Sequence, residues 1–210
     1  MKVVLALFFS ALLCAAQKSK YQCPTIQQCQ DDAAAIIKAF NYATGDEGIE
    51  RDYEMAAKWY LVAALHEHPA AQADLGELYS EGKGVPQDFA EAFRWYRKAA
   101  DGGFVRAQAE VGAAYLFAIG VPQDYQAALE WLRKAADGGN SYGQHCLGMM
   151  YEGGFGVPQS YIQAHMWFNL AGARGDTGAR VARDAVAAKM TPAQIAEAQR
   201  LAREFRPKGQ

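Results

Sequence analysis

The chain has 210 residues, 51% of them apolar and 21% charged, with a formal net charge of −2. This composition can bury a core and excludes disorder over most of the length, and so small a charge argues against a nucleic-acid binder that works by neutralising phosphates. About one residue in five is Ala and 20 are Gly, a skew toward closely packed helices and away from an all-β fold.

A single charge at Lys2 precedes an apolar run over 3–13 that only Ser10 interrupts. The run is too short to span a bilayer, which takes about 20 apolar residues. Cys14-Ala15-Ala16 then sets small side chains three and one before a cut between Ala16 and Gln17. These features predict a cleaved signal peptide over 1–16 and a periplasmic or secreted mature chain. A lipoprotein anchored through Cys14 is the less favoured reading, because bulky Leu13 stands where that signal wants a small residue. No other apolar run is long enough to span a membrane.

Residues 17–32 form an N-terminal segment. In an oxidising compartment Cys23 and Cys29 could pair across a short loop. Their spacing forbids this within one regular helix, but Pro24 suggests that Cys23 sits just before a helix start. Cys146 is left over as a single thiol, a small partly buried side chain.

From residue 33 onward the chain repeats with a period of 36. All four tryptophans, Trp59, Trp95, Trp131 and Trp167, keep that step. So do Gly48, Gly84, Gly120 and Gly156, and the aromatics Tyr53, Phe89, Tyr125 and Tyr161. The small residues Ala56, Ala92, Ala128 and Ala164 follow, as do Gln72, Gln108 and Gln144, and Gly76, Gly112 and Gly148. The units fall near 33–68, 69–104, 105–140 and 141–176.

Each unit reads as two helices. In the second unit the first helix lies near 71–80, with Ala71, Leu75, Leu78 and Tyr79 at helical spacing. Gly82 and Gly84 end it, and Val85-Pro86-Gln87 connects to the second helix. Asp88 is an N-cap with Glu91 at the capping-box position, and Ser160 with Gln163 repeats the device. The second helix buries Phe89, Ala92, Trp95, Tyr96 and Ala99, with Arg97 and Lys98 in its last turn. An isolated unit of this size cannot bury its aromatic stripe, whereas stacked units can. The first unit departs from the pattern, since His66-Glu67-His68-Pro69 replaces the Asp-Gly-Gly ending. A half-unit over 177–190 carries Arg183-Asp184 where Leu-Gly belongs. Thr191, Pro192 and Gln194 then start a capping helix over 191–205 with the apolar stripe Ile195, Ala198, Leu201, Ala202 and Phe205. Residues 206–210 are a tail.

The pattern Ala-x3-Leu-Gly-x2-Tyr, then Gly-x-Gly-Val-Pro-Gln-Asp-Phe-Ala-Glu-Ala-x2-Trp-Tyr-Arg-Lys-Ala-Ala, as it stands over 71–100, resembles the Sel-1-like repeat, a relative of the tetratricopeptide repeat. The resemblance covers roughly 33–190. It implies an all-α superhelical solenoid of antiparallel helix pairs. It also implies an adaptor or scaffold role, commonly in bacterial envelopes or secretion.

No residue set points to catalysis, a cofactor or a metal. Ser80-Glu81-Gly82-Lys83 matches a Ser-x-x-Lys pattern in spacing. That chemistry needs Ser at a helix start, while Ser80 ends one, and neither a Ser-Asp-Asn nor a Lys-Thr-Gly partner follows. Some cysteine-rich relatives have been linked to penicillin binding through paired cysteines in each repeat, which this chain lacks. A hydrolase or β-lactam-binding protein acting on cell-wall material is therefore the alternative, not the leading reading. His66 and His68 flank Glu67 without an evident third ligand, and read as solvated residues at a helix end.

The expected function is non-enzymatic binding of a protein or peptide. One stripe of the first helices skips the repeat-locked columns: Ala73, Glu77 and Ser80; Ala109, Ala113 and Leu116; His145, Met149 and Glu152. On a concave face, Leu116 and Met149 rimmed by Glu77 and Glu152 would grip an apolar or basic peptide, with His145 among them. The competing reading is a plain solvated face.

Overall fold

A computed structural model describes residues 26–46 and 48–207, and all of its regular structure is helical. The signal segment, Cys14 and Cys23 lie outside the described residues; Cys29 lies in the first helix, its side chain undescribed. The chain divides into two compact units at the repeat boundary between Phe104 and Val105. The first contains α1 (Ile26–Thr44), α2 (Tyr53–Leu65), α3 (Pro69–Glu81) and α4 (Phe89–Asp101). The second contains α5 (Val105–Phe117), α6 (Tyr125–Asp137), α7 (Ser141–Gly153), α8 (Tyr161–Ala173), α9 (Thr177–Ala187) and α10 (Pro192–Glu204). Within each unit, consecutive helices pack as neighbours: α1 on α2, α2 on α3 and α3 on α4, then α5 on α6, α6 on α7, α7 on α8 and α8 on α9.

The recurring residues act first at the helix ends. Asp52, Asp88, Asp124 and Ser160 each cap a second helix by accepting amide N–H groups. The reciprocal bond of a capping box forms at Thr191 and Gln194. At Asp88 it gives way to an ion pair, because Glu91 turns to Arg94 at 2.9 Å. The Gln of each Val-Pro-Gln connection reaches back to the end of the preceding helix. Gln87 donates to the Ser80 carbonyl, Gln123 to Leu116 and Gln159 to Glu152, at 2.8, 2.9 and 2.8 Å. These carbonyls have no partner inside their own helix.

A second glutamine column joins one pair to the next. Gln72 Nε2 donates to the Ala64 carbonyl in the first unit, and Gln144 to that of Ala136 in the second. Arg180 stands in the same column and donates its Nε to Gly172 O at 2.8 Å.

Most of the stripe is buried, but Phe89, expected inside, is 45% exposed because it opens α4 at the helix start. Trp95, Trp131 and Trp167 are under 10% exposed. Lys98 lies 3.8 Å from the Trp95 ring centroid and Lys134 4.1 Å from that of Trp131, each a cation–π contact. In the last full unit Leu170 occupies the Lys column. Phe205 covers Trp167 instead, edge to face at 5.2 Å. This contact sets the position of α10, which packs on α8 and buries Ala198 and Ala202.

Glycines mark where backbone meets backbone. A Cβ on Gly84 (φ +69°) would collide with the backbone of Tyr53, and Gly156 lies against Tyr125 in the same way. Among the described residues two non-glycine residues hold a left-handed conformation, Ala118 (φ 58°) and Glu67 (φ 62°). Both stand in columns that glycine fills in other repeats: Gly82 and Gly154 for Ala118, and Gly103, Gly139 and Gly175 for Glu67. A Cβ strains that conformation. Ala118→Gly and Glu67→Gly should therefore each raise stability by about 0.5–1 kcal/mol in urea melts. Gly84→Ala should lower it by about 2 kcal/mol or more.

Candidate interaction surface

The five residues expected to line one concave stripe do not share an exposed face. In the first unit Glu77, on α3, is exposed, but its companion Ala73 is fully buried. In the second unit Leu116 is 3% exposed and packs in the core with Leu129 and Leu132, and Ala109 and Ala113 are buried as well. Leu116 is thereby removed from any binding surface.

The remaining members sit on α7 and meet α9. His145 Nδ1 lies 2.9 Å from Asp176 Oδ2, and the His145 ring stands edge-on to Phe168. Met149 packs among Val186, Ala182 and Met190. Glu152 pairs with Lys189 at 3.0 Å. In this unit the stripe is the seam between successive first helices, with α5 packing on α7 and α7 meeting α9. Its small residues are small because a neighbouring helix approaches, the same reason that governs the glycine columns.

Burial pushes the Asp176 carboxyl upward, but the Ala179 amide, the His145 ring and the Gly178 amide outweigh it and hold the group below its ordinary value. Asp176 thus caps α9 and ties it to α7 with one side chain. Its place in the N-cap column, three residues before Ala179, was readable. The bond to His145, 31 residues away, left no local signal.

The other candidate groups are dispersed. Ser80 donates its hydroxyl to Glu77 O at 2.9 Å. Lys83 pairs with Glu81 at 2.8 Å and lies over Tyr53. The Ser-x-x-Lys spacing therefore forms no joint site. Cys146 is 1% exposed, and burial pushes its thiol up to about 12, far from the thiolate that nucleophilic work needs. His68 precedes Pro69 as the N-cap residue of α3. Among the described residues no three His, Cys, Asp or Glu side chains gather where they could hold a metal. In the same residues no helix is long and apolar enough to cross a membrane.

What remains exposed and apolar lies elsewhere. In the second unit the end of α5 and the turns carry Phe117, Ile119 and Phe155, 42%, 43% and 41% exposed. The corresponding positions of the first unit carry Glu81 and Lys83. Phe155 stacks on Tyr125 at 5.5 Å. In the first unit α2 exposes Leu61, Val62 and Leu65 where the second and third repeats carry Arg, Lys and Asp.

Antiparallel helix pairs, fixed end-clamps and a terminal covering helix define an all-α repeat solenoid. The Sel1 repeat matches residues 33–68, 69–104, 105–140 and 141–176, and the chain belongs to the Sel1 repeat family. Among solved structures it is similar to a protective antigen present in uropathogenic Escherichia coli strains that displays an SLR fold (32% identity, TM-score 0.78). The match covers 87% of this chain and 41% of the antigen, so the chain spans about two-fifths of that relative. It is also similar to a Sel1 repeat protein from Oxalobacter formigenes (30% identity, TM-score 0.68, covering 85% of this chain and 74% of that one). An immunity protein from Pseudomonas aeruginosa shares the fold at 20% identity (TM-score 0.53, covering 98% and 83%). No curated protein matches the sequence. Sel1 repeat proteins generally mediate protein–protein interaction and are typically non-enzymatic.

His165 departs from its column, which holds Leu129 one repeat earlier. The residue is 3% exposed with an unpartnered Nδ1, and burial, then the charge of Arg183, lower its pKa from 6.5. The unfolded chain therefore takes up the proton first, and stability present above pH 6.5 is lost as the pH falls. His165→Leu should flatten that fall in thermal melts between pH 7.5 and 5.5 and raise stability at pH 6 by about 1 kcal/mol or more.

Proposed function

We propose that this chain is an exported, non-catalytic adaptor that binds a protein or peptide partner in the bacterial envelope. The exposed apolar turn edge of the second unit carries this reading. Phe117, Ile119 and Phe155 leave large side chains in water at positions where the first unit has charges. Covering such side chains is worth about 1.5 kcal/mol or more apiece, and patches of this kind mark interaction sites. The general role of Sel1 repeats supports it. The partner contacts the turn edge and not the seam, whose residues are already engaged.

Immobilised mature chain should retain a defined partner from envelope extract, and a Phe117→Ser/Ile119→Ser variant should lose it. Equal retention by both would remove the turn edge, and retention of nothing by the wild-type chain would remove the adaptor reading.

Export rests on the charged start, short apolar run and Cys14-Ala15-Ala16 of the sequence. Intact mass of the protein recovered from its host should place the N-terminus at Gln17. An uncut Met1 or a lipid on Cys14 would contradict that.

A further inference from the structure

The seam between first helices stays open at its last member. Stepping by 36 from Ala109, Ala113 and Leu116 leads to His145, Met149 and Glu152, and then to Val181 and Ala185 on α9 and Ala188 at its C-cap. The first three are buried, and the next three are engaged by Asp176, by Val186 with Met190, and by Lys189. On α9 the same face is exposed. Val181 is 71% exposed, more than any other large apolar side chain in the described residues, and Gly178, Ala185 and Ala188 are exposed beside it. The following helix does not cover them, because α10 turns back onto α8.

We propose that α9 of a second copy of this chain closes this face, in a two-fold antiparallel pair. The face continues an established interface column by column, so the surface that packs a first helix inside the protein is offered again at its end. The side chains alternate in size as an antiparallel pair needs. An axis beside Arg183 brings Val181 of one copy against Ala185 of the other. The charges select the direction. Arg180 and Asp184 are both exposed and lie one turn apart on the flank of the face, with Asp184 also bonded to Arg183 at 2.8 Å. Antiparallel pairing sets Asp184 of one copy near the level of Arg180 of the other, whereas parallel pairing would set like charges level. A two-fold pair also closes on itself, whereas head-to-tail stacking would not. A contact confined to one short helix stays below the about 800 Å² per partner of a standard interface, so the pair is weak. The proposal is independent of the turn edge and its partner.

Sedimentation velocity of the full chain, from low micromolar to several hundred micromolar, should show the mean mass rising from monomer to a plateau at twice that value. Val181→Glu and Ala185→Glu should each hold it at monomer, with helical circular dichroism and melting unchanged because both sites are on the surface. Under oxidation, an equal mixture of Val181→Cys and Ala185→Cys copies should cross-link in higher yield than either variant alone. A monomer at every concentration, a dimer indifferent to Val181→Glu, equal cross-linking yields, or a mass that keeps climbing past the dimer would each overturn the pairing.

Discussion

Short helices are mostly ends. Eight of the ten helices among the described residues are 13 residues long, yet each leaves four N–H and four C=O groups without a partner in its own ladder. Satisfying those groups is the constraint on which the rest of the protein depends. The capping Asp and Ser residues answer the N–H groups, and two glutamine columns reach the carbonyls, one within the pair and one from the next pair. Because the second column spans pairs, it fixes how successive pairs approach. Only then do the tryptophan and alanine columns meet and form a core. Arg180 shows how firmly the requirement holds, since it changes the residue type and keeps the acceptor position.

Most of the fold was legible because its causes are local and periodic. The glycine breaks, the caps and the final helix with its Thr191–Gln194 box stand where spacing put them. The glutamines were visible only as a column, since a bond to a carbonyl one helix away has no local signature. The surface was less legible. Ala109, Ala113 and Leu116 varied between repeats and so looked like an exposed face. Variation there reflects a seam in which each unit must fit a different neighbour, His145 against Asp176 in one place and Ala113 against α7 in another. A helical wheel gives the direction of a side chain but not whether another helix stands there.

This distinction changes what the surface can do. Side chains in the seam are held by partners inside the protein, so they set the stacking. The exposed apolar residues at Phe117, Ile119 and Phe155 have no such employment beyond the stacking of Phe155 on Tyr125. They sit at a helix end and on turns, where backbone geometry is fixed by the flanking glutamine clamps and the side chain is free to differ. A rigid frame with variable turns is the arrangement expected of a binding scaffold.

The contact between Trp167 and Phe205 has a consequence for how such a chain can change length. α10 is attached to the second helix of the last matched repeat, through Trp167, and not to the first helix that follows it. It therefore recognises a kind of neighbour and not a count of neighbours. Blocks of 36 residues can be duplicated or deleted upstream while the same helix finds the same aromatic ring. Duplication upstream needs no new covering helix, and the number of repeats before α10 is free to vary.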